Sequence, residues 1–199
     1  GKFVIQGKQR ELFCSAVELV SERHGLQKIV NAETKSAGLS IDSHDIINDM
    51  ETSLGKAYNF LGEAHKGILS SAYVFLRTNI VISDNDLKMD YSVLFHPASR
   101  VLEGYILKQL VHNNVLHENG EAVGYYFRTE NDEDPLTLYP QYVSKIDNDT
   151  IVTEINRLYK LFHRVRHPYS HASENDYTTS IITDRALADK YFKEIIEAI

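Results

Sequence analysis

A single cysteine, Cys14, in a chain of 199 residues leaves no partner for an internal disulfide and no set of thiolate metal ligands, which suits a reducing cytoplasm. Cys14 by itself reads as a small buried hydrophobe rather than a nucleophile. Long apolar runs are missing as well: stretches such as Tyr73 to Leu76 and Ile80 to Ile82 are too short to span a bilayer. No signal-peptide pattern is visible at the start, and the sequence carries no internal repeat and no low-complexity segment. Positive charge is also in deficit. A formal net charge of −7 argues against a large nonspecific nucleic-acid binder, because phosphate neutralisation needs clustered Lys and Arg. What is present is the composition of an ordinary globular protein, 43% hydrophobic and 25% charged, enough for one generous domain or two small ones. The chain opens at Gly1 rather than Met, so a processed or truncated product with a domain upstream is expected.

Apolar spacing predicts mostly helices. Lys2 to Lys8 alternates in polarity and reads as a strand with no partner nearby. Leu12, Ala16, Leu19 and Val20 recur at helical spacing up to Gly25, and Gln27 to Lys35 reads as helix. Asp45 to about Arg77 is helical, but Gly55, Gly62 and Gly67 divide it into two or three pieces. Asn79 to Asp90 reads as a connection. Tyr91 to Val111 is again helical, with Pro97 near the true start. Asn113 to Gly120 is a turn region, Ala122 to Thr129 a strand or hairpin arm, and Glu130 to Pro135 a solvated acidic loop. Ile151, Ile155, Leu158 and Phe162 mark one face of a helix over Asp147 to Val165. Thr183 can cap a last helix with a stripe of Leu187, Tyr191 and Ile195, supported by Phe192, Ile196 and Ile199. The expected fold is mainly α, a helical bundle with a minor β-hairpin or strand element.

Charge is unevenly spread. Ile155 to His171 holds four cations, Arg157, Lys160, Arg164 and Arg166, and three histidines, with no carboxylate. The plain alternative is a solvated helix face balanced by acids elsewhere in space. Within this island the run FHRVRHPYSH, Phe162 to His171, supports two chemistries. His163, His167 and His171 at intervals of four would line one face of an unbroken helix as metal ligands. Against that, Pro168 disfavours helix in the residue before it, no carboxylate completes the shell, and Arg164 and Arg166 repel a dication. The second chemistry takes Arg166 and His171 as a pair brought to one cleft by a helix break at Pro168. Metal-free RNA cleavage needs a base for the ribose 2′-OH, an acid for the leaving oxygen and a cation for the charge on phosphorus, and His and Arg suit those tasks.

The order Arg166, His167, then His171 resembles the motif of HEPN-domain ribonucleases, an Arg followed after four to six residues by His, with a polar residue often next to the Arg. Upstream, YSVLFHPASRVLEGYILK, Tyr91 to Lys108, is similar to the helix that carries an Arg-x-x-Glu pair in the RNase LS toxins, with a proline before the Arg and a glycine after the Glu. Arg100 and Glu103 stand at those positions. The opening GKFVIQGK also looks like the strand that ends the domain before the catalytic region in that family. The resemblance covers Tyr91 to Ser173 and the opening strand, and is loose from Glu11 to Arg77 and after Ala172.

The resemblance implies a HEPN-like helical bundle: residues 1–8 the last strand of an upstream domain, 9–90 a helical segment suited to partner binding, 91–199 the HEPN catalytic region. It implies a metal-independent endoribonuclease toxin of a bacterial toxin–antitoxin, anti-phage system, cleaving mRNA in a cleft between two copies. The partners would be RNA, a second copy and a cognate or phage-encoded antitoxin, with no cofactor, no metal and no membrane. Arg166 and His171 would bind the scissile phosphate and move protons, Arg100 would add phosphate binding, and Glu103 would orient Arg166 or His171 or act as a base. Arg164, His167 and Tyr169 would add RNA contacts. Tyr139, Tyr142 and Tyr169 have the chemistry to stack on splayed bases, and equally to fill a core. His96 stands out for lying one helical turn before Arg100. Two rival readings stay open: a catalytically silent HEPN module that dimerises or binds a partner, and a metal-binding helical protein built on the three histidines.

Overall fold

Small polar caps and a few glycines set the helix ends of this chain. The computed structural model describes residues 25–36, 38–77, 90–115, 122–169 and 180–199. The expected strand over Lys2 to Lys8, the helix up to His24, and Cys14 lie outside the described residues. The chain divides into two compact units, Gly1–Leu87 and Lys88–Ile199.

In the first unit, α1 (Leu26–Ser36) follows Gly25, whose φ of +77° is open to glycine without strain. Helix α2 (Ser43–Leu54) begins where the Asp42 carboxylate accepts the His44 N–H. It stops at Gly55, φ +53°, whose N–H donates to the Glu51 carbonyl. The long helical region expected from 45 to 77 therefore breaks twice, giving α2, the short α3 (Lys56–Phe60) and α4 (Glu63–Arg77). Gly67 breaks nothing and is buried inside α4. Helices α1, α2 and α4 pack on one another around the fully buried Val30, Ile46, Met50, Leu69 and Ala72. Polar contacts tie them too: Ser70 and Ser71 on α4 donate to the Glu33 carboxylate on α1 at 2.7 and 2.5 Å.

The second unit starts with a 3₁₀ turn, Tyr91–Leu94, followed by α5 (His96–His112), with Pro97 in its first turn where its missing N–H costs nothing. Asp90 accepts from Ser92 N, Ser92 Oγ and Ile182 N, anchoring this start to residue 182. Helix α6 (Pro140–Val143) is a single turn. Helix α7 (Asp149–Arg166) is capped by Asn148, which accepts from Thr150 N and Ile151 N, and it runs directly into a 3₁₀ turn, His167–Tyr169. Helix α8 (Arg185–Ala198) is capped by Asp184, which accepts from Ala186 N; the expected cap, Thr183, is one residue early. Its buried stripe is Ala188, Phe192, Ile195, Ile196 and Ala198, so Leu187 and Tyr191 of the expected stripe sit half-buried at the flank. Helix α5 packs on α7 and α8, and those two on each other, around Phe95, Val101, Leu102, Ile106, Ile155, Leu158, Val165 and Ile195.

The expected strand or hairpin arm over Ala122 to Thr129 is replaced by a 3₁₀ turn, Val123–Tyr126, and one antiparallel bridge, Phe127 to Leu138. The bridge is closed by Arg128 N–H donating to the Thr137 carbonyl at 2.8 Å and Tyr139 N–H to the Tyr126 carbonyl at 3.1 Å. On one side the 3₁₀ turn over Val123–Tyr126 ends the pairing, and on the other Asp134 and Leu136, with φ of +58° and +56°, interrupt the extended backbone. The Leu138 N–H, on the edge away from Phe127, donates to the Asn156 side chain on α7 at 2.9 Å. Val123, Tyr126 and Phe127 of that run are core residues all the same: Phe127 lies flat on Tyr159 with ring centroids 3.6 Å apart. Among the described residues no helix is long and apolar enough to cross a membrane.

Candidate functional site

Helix α5 carries His96, Arg100 and Glu103 on successive turns, so the three share a flank beside the buried Ala98, Val101 and Leu102. At the end of α7, Phe162 and Val165 are buried, and Arg166 follows as the helix runs out. Its guanidinium donates to the Glu103 carboxylate, 63 residues away in sequence, and its central carbon lies 5.2 Å from the Phe162 ring centroid. Both partners are mostly withdrawn from water, with side-chain exposures of 30% for Arg166 and 26% for Glu103. One ion pair thus joins the two sequence motifs, with Arg100 a turn before Glu103. His171 lies outside the described residues; the turn His167–Tyr169 brings the chain to within two residues of it.

His96 belongs to the same neighbourhood. Burial pushes its imidazole below the usual histidine range, opposed by the Asp90 carboxylate, while the Arg166 charge adds to the lowering. The Tyr169 backbone, like Asp90, opposes the lowering. Tyr169 packs edge-on against Phe95 at 6.1 Å, and its ring centroid lies 6.2 Å from that of Tyr191. Burial raises the Tyr169 hydroxyl first, and Tyr191 raises it further. Tyr142 packs with Tyr126 and Tyr125 at 5.2 and 6.4 Å, so it too serves an aromatic cluster.

The basic island splits between two faces. Arg164 and Arg166 point about 200° apart around the helix. Arg164 turns to α8, where it donates to Glu194 at 2.7 Å and lies 6.0 Å over the Tyr191 ring. Arg157 forms a two-pronged pair with Glu154 and donates to the Ala198 carbonyl. The open cleft of about 540 Å³ that these residues line with Lys160 also holds Glu194 and Glu197, so it is not a basic groove. The absence of carboxylates from the segment is therefore answered by acids one turn earlier and on α8.

The histidine run does not assemble a metal centre from the described residues. His163 and His167 stack with centroids 4.7 Å apart, and Glu130 comes within 3.7 Å of His163 Nδ1. Burial, and then the neighbouring His167, hold His163 below its ordinary range. Among the described residues no three metal-ligating side chains cluster.

The class defined by this geometry is a mainly helical domain with an Arg–Glu pair at the crossing of α5 and α7. A family model described as RNase LS, bacterial toxin DBD domain, matches residues 43–173, and the chain belongs to that family. Among solved structures the chain is similar to Escherichia coli toxin LsoA, crystallised in complex with T4 phage antitoxin Dmd. The match has a TM-score of 0.68 at 20% identity, covering 91% of this chain and 68% of that one, which establishes a shared fold. No curated protein matches the chain.

Proposed function

We propose that this member of the RNase LS toxin family is a metal-independent endoribonuclease of an anti-phage toxin–antitoxin system, with residues 91–199 forming a HEPN catalytic region. The observation that carries the reading is the contact between Arg166 and Glu103, which brings the Arg-x-x-Glu helix against the helix that leads to His171. A guanidinium held by a carboxylate keeps its remaining N–H donors in a fixed plane, suited to two oxygens of a phosphodiester. In the proposed reaction a base removes the 2′-OH proton and the 2′ oxygen attacks phosphorus. The P–O5′ bond then breaks, a 2′,3′-cyclic phosphate forms, and the 5′ oxygen takes up a proton. Arg166 and Arg100 stabilise the charge on the phosphoryl oxygens, His171 handles a proton, and Glu103 orients Arg166. Two copies facing each other form the cleft. LsoA was crystallised with a phage antitoxin, and an antitoxin of that kind is the proposed protein partner here.

The same ion pair favours a second reading, in which Arg166 and Glu103 only brace α5 on α7 in a silent module that dimerises or binds a partner. Cleavage of mixed mRNA in excess EDTA separates the two. The ribonuclease reading expects cleavage to persist, and Arg166→Ala or His171→Ala to lower it on the order of a hundredfold or more at equal folded concentration. Cleavage that stops in EDTA, or that survives both substitutions, refutes it.

A further inference from the structure

Side chains on a helix tilt toward its N-terminus, so an arginine that ends a helix leans back over the turn before it. On α7 the residue four before Arg166 is Phe162, whose ring is buried, and the central carbon of the Arg166 guanidinium lies 5.2 Å from its centroid. That distance is within reach of a cation–π contact, in which the electron-rich face of the ring attracts the positive charge. The guanidinium also donates to Glu103 on α5. Arg166 is therefore held from two directions, by a carboxylate on a second helix and by a ring on its own.

The ring is itself fixed. Phe162 lies at 28° to Tyr159 with centroids 6.1 Å apart, and Tyr159 lies at 8° to Phe127 with centroids 3.6 Å apart. Tyr159 and Phe127 are buried as well. Phe127, Tyr159, Phe162 and Arg166 thus form one series of contacts that begins just after the 3₁₀ turn Val123–Tyr126 and runs along α7 to its last residue. The two contacts on Arg166 limit different motions. A carboxylate holds one edge of a guanidinium but lets its plane swing about the hydrogen bond, whereas a ring packed beside the charge restrains that swing.

We propose that Phe162 is a positioning residue for Arg166: through the cation–π contact of its buried ring it restrains the plane of the guanidinium whose edge Glu103 holds. The inference rests on the ribonuclease reading for its effect on catalysis, while the contact between ring and charge is a separate claim about the fold. A guanidinium whose plane swings still attracts a phosphate, but for part of the time its donors point away from the phosphoryl oxygens that gain charge. Weakening the face of the ring should therefore lower kcat more than it raises KM.

The test uses the full chain with Phe162 replaced by mono-, di- and trifluorophenylalanine, and with Phe162→Leu. Fluorine drains the negative face of the ring while nearly keeping its shape and apolar character, so a merely structural role is left almost unmoved; Phe162→Leu keeps apolar bulk and removes the face. Hydrogen exchange at the amides of residues 162–166 and steady-state cleavage of one RNA are measured on each, and exchange is measured again in an Arg166→Met background. The expected result is a stepwise fall in kcat with each fluorine, reaching about twofold to about thirtyfold, with KM within about twofold. Exchange should rise in the same order in the parent background and stay level in Arg166→Met. A flat response to fluorination in either readout, or an equal rise in exchange without Arg166, overturns the proposal. If Phe162→Leu does not fold, the fluorinated rings carry the test. If the parent chain does not cleave RNA, the ribonuclease reading fails, while the exchange series still decides whether the ring holds Arg166.

Discussion

Removing one half of the Arg166–Glu103 pair tests the site directly. Fully exposed ion pairs contribute about 0.2–1 kcal/mol, and breaking a fully buried one costs about 3–5 kcal/mol. With side-chain exposures of 30% and 26%, this pair lies between those limits. We therefore expect Glu103→Ala to cost about 1–2 kcal/mol in the second unit, since it leaves a guanidinium over the Phe162 ring without its carboxylate. Arg166→Ala should cost a similar amount, and the double variant less than the sum, with a coupling of about 1 kcal/mol. Native-state hydrogen exchange at the amides of α5 and α7 is the assay, because it reports the free energy of opening those helices without treating the two units as one transition. The coupling should weaken only modestly as salt is raised, a partly buried pair being poorly screened. A coupling below about 0.3 kcal/mol, no larger than ordinary non-additivity between distant sites, would refute the argument that Glu103 holds Arg166.

In the first unit, burial raises the Glu33 carboxyl above 4.5 despite the two serine hydrogen bonds that oppose the shift. The folded state therefore holds that proton more tightly than the unfolded chain does, and stability falls as pH rises from about 4.5 through the folded value. Glu33→Gln should remove this slope: its melting temperature relative to the parent should be higher at pH 8 than at pH 4, and the opposite order would sink the account. Phe127→Ala removes a fully buried ring stacked on Tyr159 and should cost about 3–5 kcal/mol by urea unfolding. A loss under about 1 kcal/mol would mean the neighbouring tyrosines close the space.

Helix boundaries were readable from the chain wherever a local group decides them. Gly55 stops α2 and Pro97 marks the start of α5, through interactions reaching no further than four residues, while the start of α7, expected at Asp147, falls at Asp149 behind the Asn148 cap. The same local logic failed by one residue at Thr183, because either Thr183 or Asp184 has the chemistry of a cap and only the geometry chose Asp184. The resemblance to the RNase LS helix and the HEPN motif singled out Arg100, Glu103 and Arg166, because it is carried by residue types and intervals read along the chain.

Tertiary structure decided who meets whom. Glu103 had Arg100 three residues away as its obvious partner, but the packing of α5 on α7 gave it to Arg166. Arg164 and Arg166, adjacent in the basic island, were sent to opposite sides of α7, one to Glu194 and the other to Glu103. Within Ala122 to Thr129, Val123, Tyr126 and Phe127 are buried but the run lost its strand, because Val123–Tyr126 closes into a 3₁₀ turn instead. The physical reason is one of range. Helices and caps are built from hydrogen bonds between near neighbours, which the order of residues specifies, whereas the charge that balances a half-buried guanidinium need only be close in space, and that depends on how the helices pack.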